Sequence, residues 1–241
     1  MRLDVFLFER ADALSRNEAK VLITEGAVSV NGKIITKPAY DVDDTDVITV
    51  DRSVKRFVSR GGEKLFGALS AFCITPQGKK CIDVGASSGG FTDCLLQMGA
   101  LSVIALDSGH SQLVSSLRCD ERVISIEEYN ARYLKPEDLP YTPDFAVMDV
   151  SFISATLIIP ALYNCLSPQA EFVLLVKPQF EVGKSAVGKG GVVKDSAKRI
   201  AALNRVVAFA ESIGFSHKGS IESPIKGGDG NVEFLAYFVK K

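Results

Sequence analysis

Two lysines and two acidic residues stand where a folded chain would bring charged groups together. Asp149 follows an apolar run that begins at Phe145, and Lys177 follows Phe-Val-Leu-Leu-Val176 directly. An aliphatic strand rarely ends in a charge without a partner, so we expect Asp149 to pair with Lys177. Lys64 precedes the sheet and Glu233 lies on the last strand. Lysines held by acids can stabilise a developing negative charge or accept a proton, and two ordinary salt bridges are the alternative interpretation.

A loop of small residues, Asp83-Val-Gly-Ala-Ser-Ser-Gly-Gly-Phe91, lies between the first apolar strand and the next helix. Gly85 allows a tight turn, and two further glycines keep the backbone bare where the helix begins. The spacing differs from the dinucleotide fingerprint, and no Gly-Lys-Ser/Thr follows as in a phosphate-binding loop. An acid before such a loop suits a ligand with an ammonium group and no phosphates.

The second strand ends at Asp107, 24 residues after Asp83, where a ribose-binding acid is expected in a βαβ unit. The combination favours S-adenosylmethionine as the cofactor, with a nicotinamide as the main alternative. Asp83 would face the methionine amino group, directly or through water. The candidate cofactor-binding residues are Asp83, Gly85, Ala86, Ser87, Ser88, Gly89, Gly90, Phe91, Asp107, Asn130 and Asp149.

Short apolar strands alternate with helices from Lys79 onward, which predicts an α/β fold with a parallel sheet covered on both faces. Helices are expected near Phe91–Met98, Gln112–Leu117, Ala155–Cys165 and Ser196–Ile213. The predicted strands are Cys81–Val84, Val103–Asp107, Val123–Ile126, Phe145–Asp149 and Phe172–Val176. Only turn residues separate Phe215–Ile221 from Val232–Val239, so these two segments should form an antiparallel hairpin at the sheet edge. These elements, together with the S-adenosylmethionine loop after the first strand, predict a Rossmann-like sheet of an S-adenosylmethionine-dependent methyltransferase. Ligands bind such sheets at the carboxyl ends of the strands.

The first 51 residues have the signals of a small α+β domain. Ser15 and Glu18 have capping-box spacing before a helix, and Asn31-Gly32 sits in alternating residues typical of a hairpin. The stretches Arg2-Leu-Asp4, Ser15-Arg-Asn-Glu-Ala-Lys20, Gly26-Ala-Val-Ser-Val-Asn-Gly-Lys33 and Lys37-Pro38 resemble the S4-type RNA-binding domain. The resemblance implies RNA contacts by Arg2, Arg16, Lys20, Asn31, Lys33 and Lys37. From composition alone, these are also the side chains of an ordinary solvated face.

A basic linker, residues 52–60, is expected to join this domain to the catalytic domain, residues 61–241. Arg56 and Arg60 on it are candidate RNA contacts, and a plain solvated hinge is the alternative. The formal net charge is −1, so any basic surface must be local. The odd number of cysteines, 5, and only 2 histidines indicate neither a zinc site nor a disulfide framework.

The two lysines and two acidic residues described first match a pattern known from a methyltransferase family. Lys64, Asp149, Lys177 and Glu233 match the Lys-Asp-Lys-Glu tetrad of FtsJ-like (RrmJ-like) ribose 2′-O-methyltransferases. With the N-terminal domain, the chain resembles the TlyA family in the stretches Val58-Ser-Arg-Gly61, Asp83 to Asp93, Asp149-Val-Ser-Phe-Ile-Ser154 and Val176-Lys-Pro-Gln-Phe-Glu181. The resemblance implies a ribosomal RNA cytidine 2′-O-methyltransferase that uses S-adenosylmethionine and needs no metal. It assigns the tetrad as catalytic.

Two other functions stay open on sequence grounds. The TlyA family is also described as haemolysins, yet no apolar run reaches the roughly 18 residues that span a bilayer. An RNA-binding ribosome-assembly factor with an inactive catalytic domain is the second alternative. We expect a cytoplasmic monomer that binds ribosomal RNA or ribosomal subunits without stable membrane association. The target nucleotide and subunit cannot be derived from the side chains.

Overall fold

In a computed structural model, the described residues are 1–10, 12–13, 16–24, 26–51, 57–183, 187–188 and 190–241. The chain divides into two compact units, Met1–Arg56 and Phe57–Lys241. The predicted linker covered 52–60, and its last four residues belong to the larger unit, where Phe57 is 3% exposed. None of the described helices has the length and apolar character needed to cross a membrane.

The small unit packs two helices against a three-stranded antiparallel sheet. Its elements are α1 (Leu3–Glu9), α2 (Arg16–Thr24), β1 (Val28–Val30), β2 (Lys33–Ile34) and β3 (Ile48–Val50), with strand order β2-β1-β3. Asn31 and Gly32 have positive φ angles of 52° and 79°, as a two-residue hairpin turn requires. The predicted helix cap at Ser15 lies outside the described residues.

The larger unit is built on a seven-stranded sheet. Its strands are β4 (Lys80–Val84), β5 (Ser102–Leu106), β6 (Val123–Ile126), β7 (Phe145–Met148), β8 (Glu171–Val176), β9 (Phe215–Glu222) and β10 (Phe234–Lys240). The strand order is β6-β5-β4-β7-β8-β10-β9. The pairs among β4 to β8 are parallel, whereas β10 is antiparallel to both β8 and β9. The predicted parallel sheet with a C-terminal antiparallel hairpin is confirmed.

Helices cover both faces of this sheet. They are α3 (Gly61–Phe72), α4 (Gly90–Gln97), α5 (Ser115–Arg118), α6 (Ile159–Cys165), α7 (Pro178–Glu181) and α8 (Ser196–Ile213). Alternate residues of β4 face opposite cores. Ile82 and Val84 join one apolar cluster with α6 and α8, and Cys81 joins the other with α3 and α4. The central strands are therefore buried on both faces, as expected for a covered parallel sheet.

Most element boundaries lie within one or two residues of the sequence-based expectation, and three differences affect the site. The helix predicted near Gln112–Leu117 is reduced to α5, because the amides of residues 111–113 bind the Glu127 carboxylate instead of continuing a helix. The predicted helix Ala155–Cys165 is split into a 3-10 turn, Ala155–Leu157, and α6. The last strand begins at Phe234, so Glu233 lies one residue before it rather than within it.

Candidate active site

The carboxyl ends of the parallel strands open into a cavity of about 910 Å³ in the larger unit. Five of the predicted cofactor-binding residues line it: Gly85, Ser87, Asp107, Asn130 and Asp149. Asp83, Ala86, Ser88, Gly89, Gly90 and Phe91 do not line the cavity wall. The Phe91 ring is 3% exposed and packs in the core below the loop, so its side chain supports the loop from beneath.

The turn after β4 has a conformation that only a residue without a side chain fits. Gly85 has a φ of +86°, and a Cβ built there would lie 2.4 Å from the Asp149 carbonyl oxygen. Its backbone is therefore bare where it borders the cavity. Gly89 has a φ of +97°, and a Cβ there would lie 2.3 Å from a Leu117 methyl carbon. Gly85 therefore packs against the end of the adjacent strand, and Gly89 packs against the apolar core.

Asp107 is fixed at the end of β5 by backbone amides. Its Oδ1 accepts a hydrogen bond from Gly109 N at 2.7 Å, and its Oδ2 accepts one from Ser87 N at 2.8 Å. A carboxylate oxygen has a second lone pair, so both oxygens can still accept hydrogen bonds from hydroxyl groups of a ligand. The carboxylate thereby ties the glycine loop to the second strand and faces the cavity.

Asp83 is a carboxyl group without solvent exposure at the end of β4. Thr92 Oγ1 donates a hydrogen bond to its Oδ2 at 2.7 Å, and Oδ1 has no hydrogen-bond partner among the described residues. Burial, with a smaller contribution from the negative charges of Asp149 and Asp107, raises the pKa of Asp83 to about 7. A cationic group placed near Oδ1 would favour the ionised form of this carboxyl.

One wall of the cavity is shaped by Glu127, which the sequence did not single out. Its carboxylate accepts hydrogen bonds from the amides of Ser111, Gln112 and Leu113, at 2.7, 3.0 and 3.4 Å. These amide bonds, together with Arg118, lower the pKa of Glu127. The carboxylate therefore holds the loop that contributes Ser108, Gly109 and Gln112 to the cavity wall.

The first lysine and acid pair, Lys177 and Asp149, forms as expected. Lys177 Nζ lies 2.5 Å from Asp149 Oδ1, and the two side chains are 12% and 20% exposed. Asp149 Oδ1 accepts no well-directed hydrogen bond among the described residues, so this contact is an ion pair. Lys177 Nζ also donates a hydrogen bond to Ser151 Oγ at 2.8 Å. Because Asp149 and Ser151 both line the cavity, the ammonium is anchored beside it.

The second pair joins Lys64 of α3 to Glu233, the residue before β10. Lys64 Nζ donates a hydrogen bond to Glu233 Oε2 at 2.6 Å, and the side chains are 10% and 3% exposed. Glu233 packs over Gly227, where a Cβ would lie 2.5 Å from its Oε1. The antiparallel register pairs Phe234 with Val176, so Glu233 is level with Lys177 on the neighbouring strand. The tetrad residues therefore sit in two ion pairs at one edge of the sheet.

A loop after β7 adds aromatic surface to the cavity. Phe152 is 92% exposed, has a φ of +66° and lies against Phe180 with ring centroids 5.3 Å apart. Glu181 fixes the end of this loop, accepting hydrogen bonds from Ser154 Oγ at 2.6 Å and Ala155 N at 2.8 Å. Phe152 lines the cavity, and sequence reasoning missed it as well as Glu181. Only their place in the two motifs after Asp149 and Lys177 could have drawn attention to them.

The predicted RNA contacts of the small unit differ in how they are held. Arg2 and Arg16 both bind Asp4, whereas Lys20, Lys33 and Lys37 are exposed. The Asn31 amide pins the hairpin to the β3 region, since it donates to Asp46 Oδ1 at 2.7 Å and accepts from Val47 N at 2.9 Å. In the larger unit, Arg60 is exposed one helical turn before Lys64. Arg56 lies outside the described residues.

Comparison with known proteins gives two family matches. Residues 57–240 match the model described as FtsJ-like methyltransferase, and residues 1–48 match the S4 domain. A Mycobacterium tuberculosis protein named 16S/23S rRNA (cytidine-2'-O)-methyltransferase TlyA is 46% identical, over 98% of this chain and 88% of that protein. Hemolysin A of Brachyspira hyodysenteriae is 45% identical, over 99% of this chain and 100% of its own length.

Two solved structures are similar to this chain. A Streptococcus thermophilus structure named "Putative hemolysin" superposes with a TM-score of 0.80 at 45% identity, covering 100% of this chain and 88% of that one. An S-adenosylmethionine dependent methyltransferase from Mesorhizobium loti has a TM-score of 0.54 at 15% identity, covering 73% of this chain and 97% of its own. The second similarity shows the fold alone.

The raised pKa of Asp83 predicts a pH dependence of stability. Between pH 3.8 and about 7, the folded chain holds the Asp83 proton and the unfolded chain has released it. The free energy of unfolding should therefore fall as pH rises through this window, by about 1.4 kcal/mol for each pH unit. Urea unfolding without cofactor should show this fall in the wild type and a flatter profile in Asp83→Asn. Parallel profiles for the two proteins would contradict the assignment.

The Lys64 and Glu233 pair predicts strong coupling in stability. Lys64→Met leaves a buried carboxylate unpaired and should cost about 3–5 kcal/mol, whereas the double variant Lys64→Met, Glu233→Met should recover much of that loss. Chemical denaturation of the wild type, both single variants and the double variant measures the coupling. Lys198→Met, an exposed lysine on α8, is the matched control and should change stability by less than about 0.5 kcal/mol. Additive effects of the two substitutions would show that the pair is not coupled.

Proposed function

Because the chain belongs to the FtsJ-like methyltransferase family and has an S4 domain, we propose that it methylates a ribose 2′-hydroxyl of ribosomal RNA. S-adenosylmethionine is the methyl donor in this proposal. The relative from Mycobacterium tuberculosis is named for cytidine, and we extend that target to this chain. The observation that carries the proposal is Lys177, whose ammonium lies 2.5 Å from Asp149 beside the cavity.

The residues around the cavity fit this donor. The Gly85 backbone is bare toward the cavity, and Asp107 can accept hydrogen bonds from ribose hydroxyls. Oδ1 of the buried Asp83 is an acceptor that has no partner among the described residues. Asp83 would pair with the amino group of the donor, and Asn130, a residue of the cavity lining, would face its base. When bound, S-adenosylmethionine supplies a methyl group on a positively charged sulfur.

Lys177 supplies what a ribose hydroxyl lacks. Such a hydroxyl is a weak nucleophile in water, because it holds its proton far above neutral pH. The Lys177 ammonium has three N–H groups and forms one hydrogen bond, to Ser151, beside its ion pair with Asp149, so it keeps donor capacity for a substrate oxygen. A fixed ammonium beside the reacting oxygen stabilises the negative charge that develops there. Because Asp149 and Ser151 hold it in advance, little reorganisation is needed during reaction.

The second pair supports the first. Glu233 is level with Lys177 and is held by Lys64, so a carboxylate and a second ammonium flank the reactive lysine at fixed positions. In this proposal Lys64 and Glu233 set the field around Lys177 and orient the incoming sugar. Removing either one would leave a buried charge without its partner and so disturb the site as a whole.

Several features fit RNA as the substrate. The exposed Phe152 ring beside the cavity offers a surface on which a nucleobase can stack, and single-stranded bases commonly stack on aromatic side chains. Arg60 lies one turn from Lys64 on α3 and can pair with a nearby phosphate. In the small unit, Arg2, Arg16, Lys20, Lys33 and Lys37 are the proposed contacts. An rRNA substrate implies a cytoplasmic location, and we propose that the chain acts as a monomer.

The proposal predicts that Lys177→Met loses methyl transfer to ribosomal RNA. The rate should fall by at least about a hundredfold, because one fixed charge that stabilises the transition state is gone. Transfer of tritiated methyl groups to unmethylated ribosomal subunits measures the rate, and calorimetry with S-adenosylmethionine measures binding, which should persist. Lys177→Arg tests whether positive charge alone suffices; we expect it to stay well below the wild type, because the planar guanidinium cannot reproduce the two contacts.

The matched control is Lys198→Met, which changes an exposed lysine on α8 and should retain full activity. Thermal unfolding establishes that each variant is folded before rates are compared. A folded Lys177→Met protein with turnover close to that of the wild type would refute the role of this lysine. Binding of the methyl donor without transfer by the wild type to any ribosomal RNA would instead favour an RNA-binding assembly factor.

A further inference from the structure

Asp4 is a charged group inside the core of the small unit. It has 0% exposure, and it lies on α1 between the apolar residues Leu3 and Phe6. Buried carboxylates are rare because desolvation costs several kcal/mol unless other groups compensate. Two arginines compensate for the desolvation of Asp4. An apolar side chain at this position could not bind them.

Both arginines converge on this one carboxylate. Arg2 Nε donates to Asp4 Oδ1 at 2.9 Å and Arg2 Nη2 donates to Oδ2 at 3.2 Å, whereas Arg16 Nη2 donates to Oδ2 at 3.1 Å. The hydrogen bond from Arg2, followed by that from Arg16, lowers the pKa of Asp4 to about 2. The carboxylate therefore stays ionised at any pH at which the protein would function, and the two guanidiniums that bind it outnumber it.

The arginine side chains face solvent on their other sides. Their exposed fractions are 48% for Arg2 and 51% for Arg16. A guanidinium has five N–H donors, and these contacts use two of them in Arg2 and one in Arg16. Within the described part of the chain no other side-chain hydrogen bond of either guanidinium is present, so donors remain for an anion at the surface. Because Asp4 holds both side chains, the rotamer freedom that free arginines lose on binding has already been lost in folding.

The backbone that carries these groups is also fixed. Leu3 N donates to Tyr40 O at 2.8 Å, and Asp4 N donates to Pro38 O at 3.1 Å. The backbones of Arg2 and Asp41 form an isolated antiparallel β-bridge. The start of α1 is thereby tied to the segment that follows the hairpin and contains the exposed Lys37. The two arginines are thus placed by main-chain contacts at one end and by a buried carboxylate at the other.

We propose that Asp4 is a positioning residue for RNA binding, and that its carboxylate holds Arg2 and Arg16 as a rigid pair that grips a backbone phosphate. Paired guanidiniums match the geometry of phosphate oxygens better than separate lysines do. The inference rests on the proposed function for its ligand, because the S4 domain match makes RNA the anion of interest. It adds a residue that would not touch RNA yet controls the residues that do.

The effect of removing Asp4 has opposite signs under two explanations. Asp4→Asn changes the formal net charge from −1 to 0, so charge alone predicts tighter RNA binding and a steeper dependence on salt. If Asp4 positions the arginines, the same substitution weakens binding although the protein becomes more positive. The matched control is Asp44→Asn, which makes the same charge change at an exposed site of the same unit.

The experiment measures affinity for an unmodified ribosomal RNA transcript, by filter binding at several salt concentrations, with the full chain and no cofactor. Asp4→Asn should bind about tenfold more weakly, and its salt slope should decrease by about 1, because one phosphate contact is lost. Asp44→Asn should bind as tightly as the wild type or slightly more tightly. A folded Asp4→Asn protein that behaves like Asp44→Asn would overturn the proposal.

A second pair of variants guards against unfolding of the small unit. Arg2→Lys and Arg16→Lys retain Asp4 and every formal charge, and each should also weaken binding, because a lysine cannot make the same forked contacts. Unchanged affinity in both lysine variants would likewise contradict the proposal that Arg2 and Arg16 bind one phosphate together. Because the readout is RNA affinity without cofactor, a wild type that binds RNA but transfers no methyl group would count against the proposed activity and not against Asp4.

Discussion

The ion pair between Lys177 and Asp149 depends on two parallel strands that end at the same edge of the sheet. In the register of β7 and β8, Met148 is paired with Leu174, and extending it by three residues brings Ser151 level with Lys177. The antiparallel partner β10 pairs Phe234 with Val176, which brings Glu233 to the same level from the other side. A shift of one residue in either register would turn these side chains to the opposite face. The sheet thus sets which charges meet.

This edge concentrates negative charge, and the chain compensates for it in different ways. Asp107 and Glu127 accept backbone amides, whereas Asp149 and Glu233 pair with lysines. Asp83 is buried without a cation, its hydrogen bonds in the described part of the chain come from Thr92 alone, and burial raises its pKa to about 7. A cofactor with a cationic group would compensate for this burial, so stability is given up in the free protein at the place where the proposed ligand binds.

The sequence predicts the parallel sheet, the terminal hairpin and the cavity-lining positions at strand ends, because hydrophobic runs and glycine spacing report on backbone geometry directly. It did not identify Glu127 or Glu181, which hold cavity loops by accepting amide hydrogen bonds. Single glutamates outside an apolar repeat have no periodic pattern, and the role of these two depends on backbone amides far away along the chain. Phe152 was missed for a related reason: apart from its place after Asp149, its role follows from the cavity beside it, which the sequence does not show.

In the proposed function, this arrangement acts on the sugar of a ribosomal nucleotide and not on its base. The most direct measurement is nuclease digestion of ribosomal RNA after incubation with the protein and isotopically labelled S-adenosylmethionine, followed by mass spectrometry of the nucleosides. We expect label on the ribose of a cytidine, at the 2′ oxygen. Label on a base, with none on any ribose, would contradict the proposal, because the fixed ammonium of Lys177 would then serve a different acceptor.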